Sequence, residues 1–506
     1  MNFKLTQSFK IQHFFLLFAL LWGSLQALLM PPLQVPDETA HFIRSWGVAS
    51  GQFRCYDTRV LVPENLTKFA EAFTLPRVKN GSCNLAQVLG FASEKMNSPL
   101  KAVFCHFSAY NPLGYLPQAV GLDLARGLNL SILHATFLGR FFNLLASVLL
   151  IFLAIKFAPF GKEIFLCTAL LPMSLNQLAS FSNDALVLAG LMFFTSQILY
   201  FTQKDRLQNR ELAYLALISL IFVQIKPGYI PVLLLLLLLS PRQFAGRGRY
   251  ASFLVTVAVL SLAETFLLGQ LVDFQQYIVL MGSHDPKSQI IFIFSHPLQY
   301  LSIFCTSIQT SPPPWLALQG VLGILGSLAI GFPNKFYNFI IFSFFLILAM
   351  SNDGAVRLNG LQRIILFISF GITLFLIFTL QYLFWTNPAN PLIEGFQGRY
   401  LLGIVPLLIL SGYRLELKRW TKWIIVVVLL LLIGYHWNSS WPVLLAMLGL
   451  FLVGSNFLRQ RLSKITKGII MLALYSIIAV VSLTAIYSYY YNYYHPGACT
   501  QMSDAN

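Results

Sequence analysis

Charge is what this sequence has least of. Asp, Glu, Lys and Arg together make up 10% of its 506 residues, while hydrophobic types reach 57%. A soluble domain carries about 25% charged residues, so the polar side chains here are too few to cover a water-facing core, and a soluble enzyme is excluded. The apolar runs are continuous rather than alternating, which excludes a β-barrel. Collagen-like, disordered and disulfide-scaffold classes fall on composition. None of the six cysteines shows metal-type spacing, and no cytoplasmic nucleotide-binding motif is present. No good small-x-small site precedes Met30-Pro31-Pro32, so the first apolar run is expected to remain as an anchor rather than a cleaved signal.

What is present is an all-α polytopic membrane protein. Spans are expected at residues 11–30, 132–156, 163–181, 184–202, 211–225, 228–240, 250–271, 335–350, 364–385, 400–413, 423–437, 441–457 and 468–490. That is about 13 transmembrane helices (range about 11–15), using roughly 260 apolar positions at about 20 per span. The formal net charge of +16 would suit nucleic acid, but its distribution does not. With the N-terminus inside, alternate connections and the N-terminal segment hold 20 basic residues, from Lys4 and Lys10 through Arg247 and Arg249 to Lys464 and Lys467. Five acidic residues oppose them: Glu163, Asp205, Glu211, Asp353 and Glu416. The asymmetry is the positive-inside rule; it orients the chain, N-terminus in and C-terminus out, and calls for no nucleic acid. Residues 298–310 and 316–332 are apolar enough to enter the bilayer, as two short spans or as interfacial or re-entrant segments. Residues 112–127 suit a surface-lying helix better than a span.

The largest non-membrane segment is the first outer loop, residues 31–131. It carries sequons at Asn65-Leu66-Thr67 and Asn80-Gly81-Ser82 and three cysteines, Cys55, Cys83 and Cys105, with Cys499 expected on the same side. An outer compartment permits a disulfide staple, and spacing leaves its pairing open. Two modules follow: residues 1–415, containing the loop and the candidate chemistry, and residues 416–506, the last spans and a short tail.

Four polar clusters stand out. Pro36-Asp37-Glu38-Thr39-Ala40-His41 places two carboxylates just past the first span; they could act as a general base or bind a divalent cation, with His41 at i+4 on the face of Asp37, or they could simply start a helix. Ser180-Phe181-Ser182-Asn183-Asp184 reads as a turn and cap or as part of a site. Lys226-Pro227-Gly228-Tyr229 puts a lysine at an outer span end, for snorkelling or for phosphate. Glu394-Gly395-Phe396-Gln397-Gly398-Arg399-Tyr400 opens a span, with Gly398 allowing close approach of a ligand and Arg399 at a helix start suited to an anion. Glu264 is an acidic residue well inside an expected span, a functional candidate by its cost alone.

Taken in order, Pro36 to His41, Asn111-Pro112-Leu113-Gly114-Tyr115, Arg140, Asn183-Asp184, Lys226 with Tyr229, and Gln397-Gly398-Arg399-Tyr400 resemble a bacterial group of polytopic membrane proteins known as a domain of unknown function and grouped with the C-type (GT-C) glycosyltransferases. The resemblance covers most of residues 10–415. The chain departs from it at Gly326-Ser327-Leu328-Ala329, where relatives have Gly-Trp-Leu-Asp, and where a second Pro is usual at Asn111 or Gly114. The resemblance implies a GT-C-like fold in the inner (plasma) membrane and transfer of a sugar from a polyprenyl-phosphate donor to a glycan or lipid-linked acceptor, inverting. It implies Asp37 as catalytic base with Glu38 as its substitute, and Arg399, Lys226, Gln397 and Tyr400 on the donor phosphate. His41, Tyr115, Arg140, Asn183 and Asp184 would line the site, and Asp37, Glu38, His41 and Asp184 could hold Mg or Mn. Competing classes are a lipid-linked polysaccharide polymerase or ligase, which usually has its large outer loop late in the chain, and a transporter or flippase, which calls for internal repeats and broken helices.

Overall fold

The computed structural model describes residues 10–55, 59–73, 78–79, 84–107, 110–270, 285–351, 358–388, 390–413 and 462–495. The chain is mainly helical. Among the described residues, six helices are long and apolar enough to cross a membrane: Ile11–Leu29, Ile132–Phe157, Asp184–Phe201, Arg247–Leu267, Gly360–Phe384 and Lys464–Tyr489. The pair Pro286–Ser295 and Pro297–Thr310, bent by 109°, would make a seventh if counted as one broken span.

The remaining expected spans differ from straight helices for local reasons. Residues 163–181 divide into Lys162–Ala169 and Pro172–Leu178, because Pro172 lacks the N–H that a continuing helix needs. Residues 211–225 begin as an α-helix at Asn209–Ile218 and loosen into a π-turn at Ser219–Val223. Residues 228–240 form a 3-10 helix, Pro227–Leu238, with Pro231 inside it. Residues 400–413 become a 3-10 turn, Gly398–Leu401, and a short helix, Val405–Gly412. Asn334–Ala349, with 16 residues, reaches roughly 24 Å, short of a hydrocarbon core of about 30 Å. Residues 423–437 and 441–457, with most of the 416–506 module, lie outside the described residues. Of the two ambiguous stretches, 298–310 is the second arm of the bent pair. Residues 316–332 are helical at Pro314–Leu322 and then turn back where Leu325 bridges Ile330.

Small residues let the central helices approach closely, the usual device where lipid offers no hydrophobic drive between helices. A Cβ on Gly23 would stand 2.6 Å from Leu144, and one on Gly139 would stand 2.3 Å from the Phe181 ring. Residues 112–127 become a 3-10 turn, Pro112–Tyr115, and a helix, Leu116–Gly127. Leu116, Val120 and Leu124 are exposed on one side of that helix, and Ala119, Leu122 and Ala125 are buried on the other. The segment is a short helix rather than a long apolar span. The segment between the helices Ile11–Leu29 and Ile132–Phe157 also holds a two-stranded antiparallel sheet, Arg59–Pro63 with Leu100–Phe104. A Cys55–Cys105 disulfide joins the flanks of those strands, and Cys83 and Cys499 lie outside the described residues. Asn65 is not a free acceptor for a glycan: its amide donates to the Lys95 carbonyl and accepts from Ser98 Oγ at 2.8 Å. Asn80 lies outside the described residues.

Non-reducing peptide mapping should recover Cys55 linked to Cys105. The link closes a 50-residue separation, so in the chain-entropy picture Cys55→Ser with Cys105→Ser should lower stability by about 4 kcal/mol, read as a fall in thermal midpoint in detergent.

Candidate functional site

Asp37 and Glu38 are neighbours with different fates. Glu38 opens the helix Glu38–Ala49 and points inward, where Arg140 grips it through two hydrogen bonds, Nε to Oε1 at 2.8 Å and Nη2 to Oε2 at 2.7 Å. Both side chains are 0% exposed. Arg140 also donates to the carbonyls of Ala27, Met30 and Pro31 at the end of the first helix. Glu38 accepts from the backbone of Val35 and Phe181 at 3.1 Å each. Every strong donor of Arg140 is used and both oxygens of Glu38 are taken, so this pair ties four segments together. Glu38 is therefore not a second base, and Arg140 holds the frame rather than lining a cavity.

Asp37 occupies the N-cap position of that helix, yet its side chain makes no capping bond, and its φ of 59° is left-handed. Leu33 shares this conformation at φ 61°. Positive φ in non-glycine residues is costly and persists where the surroundings over-determine it. Here the loop is held by Gln34, whose side-chain amide donates to the Phe73 carbonyl at 2.6 Å and whose backbone carbonyl accepts from the Ser327 hydroxyl at 3.1 Å. The turn Gly326–Ala329 thus lies against this loop. The unusual backbone turns the Asp37 carboxylate away from the helix and toward Arg399.

Arg399 Nη2 donates to Asp37 Oδ2 at 2.5 Å, and Nη1 lies 3.3 Å from the Pro36 carbonyl and 3.7 Å from Asp184 Oδ2. Lys226 Nζ donates to Asp184 Oδ1 at 2.6 Å. Two carboxylates and two cations therefore alternate in one cluster whose charges cancel. Aromatic faces surround the cations: Lys226 sits 5.0 Å from the Tyr110 ring and 5.2 Å from the Tyr400 ring, and Arg399 5.3 Å from Tyr400. Such contacts stabilise a desolvated cation by about 2 kcal/mol. The Tyr229 hydroxyl donates to the Tyr400 carbonyl at 2.7 Å, fixing the Lys226 turn to the Arg399 turn. Arg399 is 2% exposed and Asp37 45%, so Asp37 is the open edge of an otherwise enclosed cluster.

Several polar atoms around the cluster are buried and have no hydrogen-bond partner among the described residues: both amide atoms of Asn183, Asp184 Oδ2, Gln397 Oε1 and Arg399 Nε. Asn183 and Asp184 stand at the start of the helix Asp184–Phe201, but Asn183 makes no side-chain cap there. Lys226 is enclosed and ion-paired, so it does not snorkel. Gly398 makes a close approach, but to protein rather than to a ligand: a Cβ there would meet the Ala317 carbonyl oxygen at 2.2 Å and the Gly320 backbone at 2.7 Å.

His41 lies one turn after Asp37. Its Nδ1 is 2.9 Å from the Tyr115 hydroxyl, and its ring stacks on Phe107 at 4.3 Å. Burial lowers its pKa from the ordinary 6.5 to about 3, with Lys226 and Arg399 acting in the same direction against Asp184 and Asp37. For Asp37, burial alone would raise the carboxyl, but Arg399 and His41 outweigh it and hold it below its usual value.

The expected cation set does not assemble. Among the described residues no group of three or more His, Cys, Asp or Glu is arranged to hold a metal ion. Glu38 is committed to Arg140, and Asp37 and Asp184 are each paired with a protein cation.

The structure thus brings Asp37, Asp184, Lys226, Arg399, Tyr400, His41, Tyr115, Asn183 and Gln397 to one region and sets Glu38 and Arg140 behind it. Phe107 and Tyr110 were not singled out by sequence reasoning, although both closely precede the Asn111–Tyr115 stretch. The partner of Glu264 is Asn111, whose Nδ2 donates to Oε1 at 3.1 Å.

The family model described as "predicted membrane protein (DUF2142)" matches residues 20–408. The chain belongs to this family. No curated protein and no solved structure matches it. The match spans all the site residues above, so the ion-pair cluster lies within the family's common region, and the last spanning helix, Lys464–Tyr489, lies beyond it.

Two outcomes follow. Breaking the buried pair with Arg140→Met or with Glu38→Gln should cost about 3–5 kcal/mol each, while the double variant should lose less than the sum in a double-mutant cycle on thermal unfolding. His41 has a depressed folded pKa, so its contribution to stability is complete above the unfolded value of 6.5 and declines as pH falls from there toward 3. The slope is about 1.4 kcal/mol per pH unit. Between pH 7 and 5 the protein should lose stability more steeply than His41→Phe.

Proposed function

We propose that this protein is a membrane glycosyltransferase. It moves a sugar from a polyprenyl-phosphate donor in the plasma membrane to a surface glycan or lipid-linked acceptor, with inversion at the anomeric carbon. The observation that carries the reading is the Asp37–Arg399 pair, which sets a carboxylate just after the first helix against a guanidinium 362 residues later at 2.5 Å. The resemblance to the C-type glycosyltransferases supports it, as does the chemistry such a pair supplies.

The acceptor hydroxyl oxygen attacks the anomeric carbon, and its proton passes to an Asp37 carboxylate oxygen. The bond between that carbon and the phosphate oxygen breaks, and its electron pair leaves on the polyprenyl phosphate. Arg399 and Lys226 stabilise the charge that develops there, with Gln397 and Tyr400 beside them. In the resting cluster both cations are occupied by carboxylates. A donor phosphate competes for Arg399, and a guanidinium drawn to phosphate leaves Asp37 without its counter-charge. Its proton affinity then rises at the step that needs a base. Asn183 and Asp184 Oδ2, buried and without a hydrogen bond among the described residues, offer an amide and a carboxylate to sugar hydroxyls.

The helix breaks favour a second reading, a transporter or flippase of lipid-linked glycans. The expected span 163–181 is interrupted before Pro172, and the Pro286–Thr310 pair bends by 109°.

A deletion strain complemented with wild type or Asp37→Asn decides the first reading. Wild type should restore the glycan profile, and Asp37→Asn should fold, insert and lower transfer by about 10²–10⁴-fold, the usual contribution of a positioned base. An identical profile in all three strains rules the enzyme out. In proteoliposomes given polyprenyl-phosphate sugar, movement between leaflets without a covalent product would establish the transporter instead.

A further inference from the structure

The helix Arg247–Gln270 has two faces. Val255, Val259, Leu262 and Phe266 recur at helical spacing and are exposed, the pattern of a face turned to lipid. Ser261, Glu264 and Thr265, spaced i, i+3 and i+4, share another side of the helix. That side is polar, which is costly in a spanning segment unless it is used. Glu264 stands 17 positions beyond Arg247, roughly 25 Å along the axis.

The Glu264 and Thr265 side chains and the Ser261 backbone carbonyl each hold a segment that flanks Lys226. Glu264 Oε1 accepts from Asn111 Nδ2 at 3.1 Å. Asn111 is fixed in turn by accepting from the Leu113 backbone at 3.0 Å, and its chain neighbour Tyr110 covers Lys226 at 5.0 Å. The Ser261 carbonyl accepts from Gln224 Nε2 at 3.0 Å, and the Thr265 hydroxyl lies 3.2 Å from Gln224 Oε1. Gln224 is two residues before Lys226. One turn of a peripheral helix thus grips the segment bearing the aromatic cover of Lys226 on one side and, on the other, the side-chain amide of Gln224, two residues before Lys226.

We infer that Glu264 is a positioning residue for the Lys226 side of the site. Through Asn111 it keeps Tyr110 over the ammonium group, so the cation stays enclosed and aimed at the cluster. The role of Lys226 as a phosphate ligand rests on the proposed glycosyltransferase reading, but the latch is testable without it.

The measurement is amine-reagent labelling of the intact, detergent-purified protein, with Lys226 and the exposed Lys68 quantified by mass spectrometry. Wild type should label Lys68 readily and Lys226 slowly. Glu264→Ala should raise Lys226 labelling at least fivefold with Lys68 unchanged. Glu264→Gln, which keeps an oxygen for Asn111, should stay at the wild-type rate. Asn111→Leu should match Glu264→Ala, and the two together should add nothing further. Equal Lys226 labelling in wild type and Glu264→Ala overturns the inference, and so does failure of Glu264→Gln to rescue. Retention of the Cys55–Cys105 linkage and an unchanged gel-filtration profile distinguish unlatching from unfolding. Binding of polyprenyl phosphate to the same samples is read separately: absence of binding by wild type would defeat the phosphate reading and leave the latch standing.

Discussion

The buried ion pair between Glu38 and Arg140 is the constraint on which the site depends. A carboxylate and a guanidinium removed from water would be costly if either were left alone. Here the remaining donors of Arg140 go to three carbonyls at the end of the first helix, and Glu38 takes two backbone N–H groups. The pair thereby joins the exit of the first helix, the start of the next, the helix Ile132–Phe157 and the turn at Phe181. With Glu38 pinned on the inner side, the preceding residue is forced outward through a left-handed backbone, and Asp37 faces Arg399.

The cluster that results is balanced. Asp37, Arg399, Asp184 and Lys226 alternate in sign, and aromatic rings enclose the cations. A balanced cluster is not a ready-made anion trap, because an incoming phosphate must compete with carboxylates already in place. The same competition gives the proposed chemistry its order, since the anion that takes Arg399 also removes the charge that keeps Asp37 a weak base. Among the described residues the buried amide of Asn183 and Asp184 Oδ2 carry no hydrogen bond, which marks where further polar contacts are available.

Much of this architecture was legible in the chain. Continuous apolar runs and the scarcity of charge point to a helical membrane protein, and six long helices appear where those runs are longest. Pro36–His41, Lys226 and Gln397–Tyr400 were readable as polar interruptions beside apolar runs. That they meet in one ion-pair cluster is what the coordinates add. The straightness of the shorter runs was less legible, because hydropathy does not register that Pro172 or Pro231 removes a backbone donor. The close approach at Gly398 was readable as a need for space, but not as space filled by the Gly320 backbone.

Sequence by itself determined the solvent this chain requires and the places where it carries charge at the membrane edge. Both follow from side-chain transfer energies, which are local. Only the tertiary structure decided which charges meet. Two adjacent carboxylates look alike in the sequence, yet Glu38 is consumed by Arg140, 102 positions away, and Asp37 faces Arg399, 362 positions away. Pairing in a low-dielectric interior is a matter of ångströms between distant segments, and that distance exists only once the helices have packed.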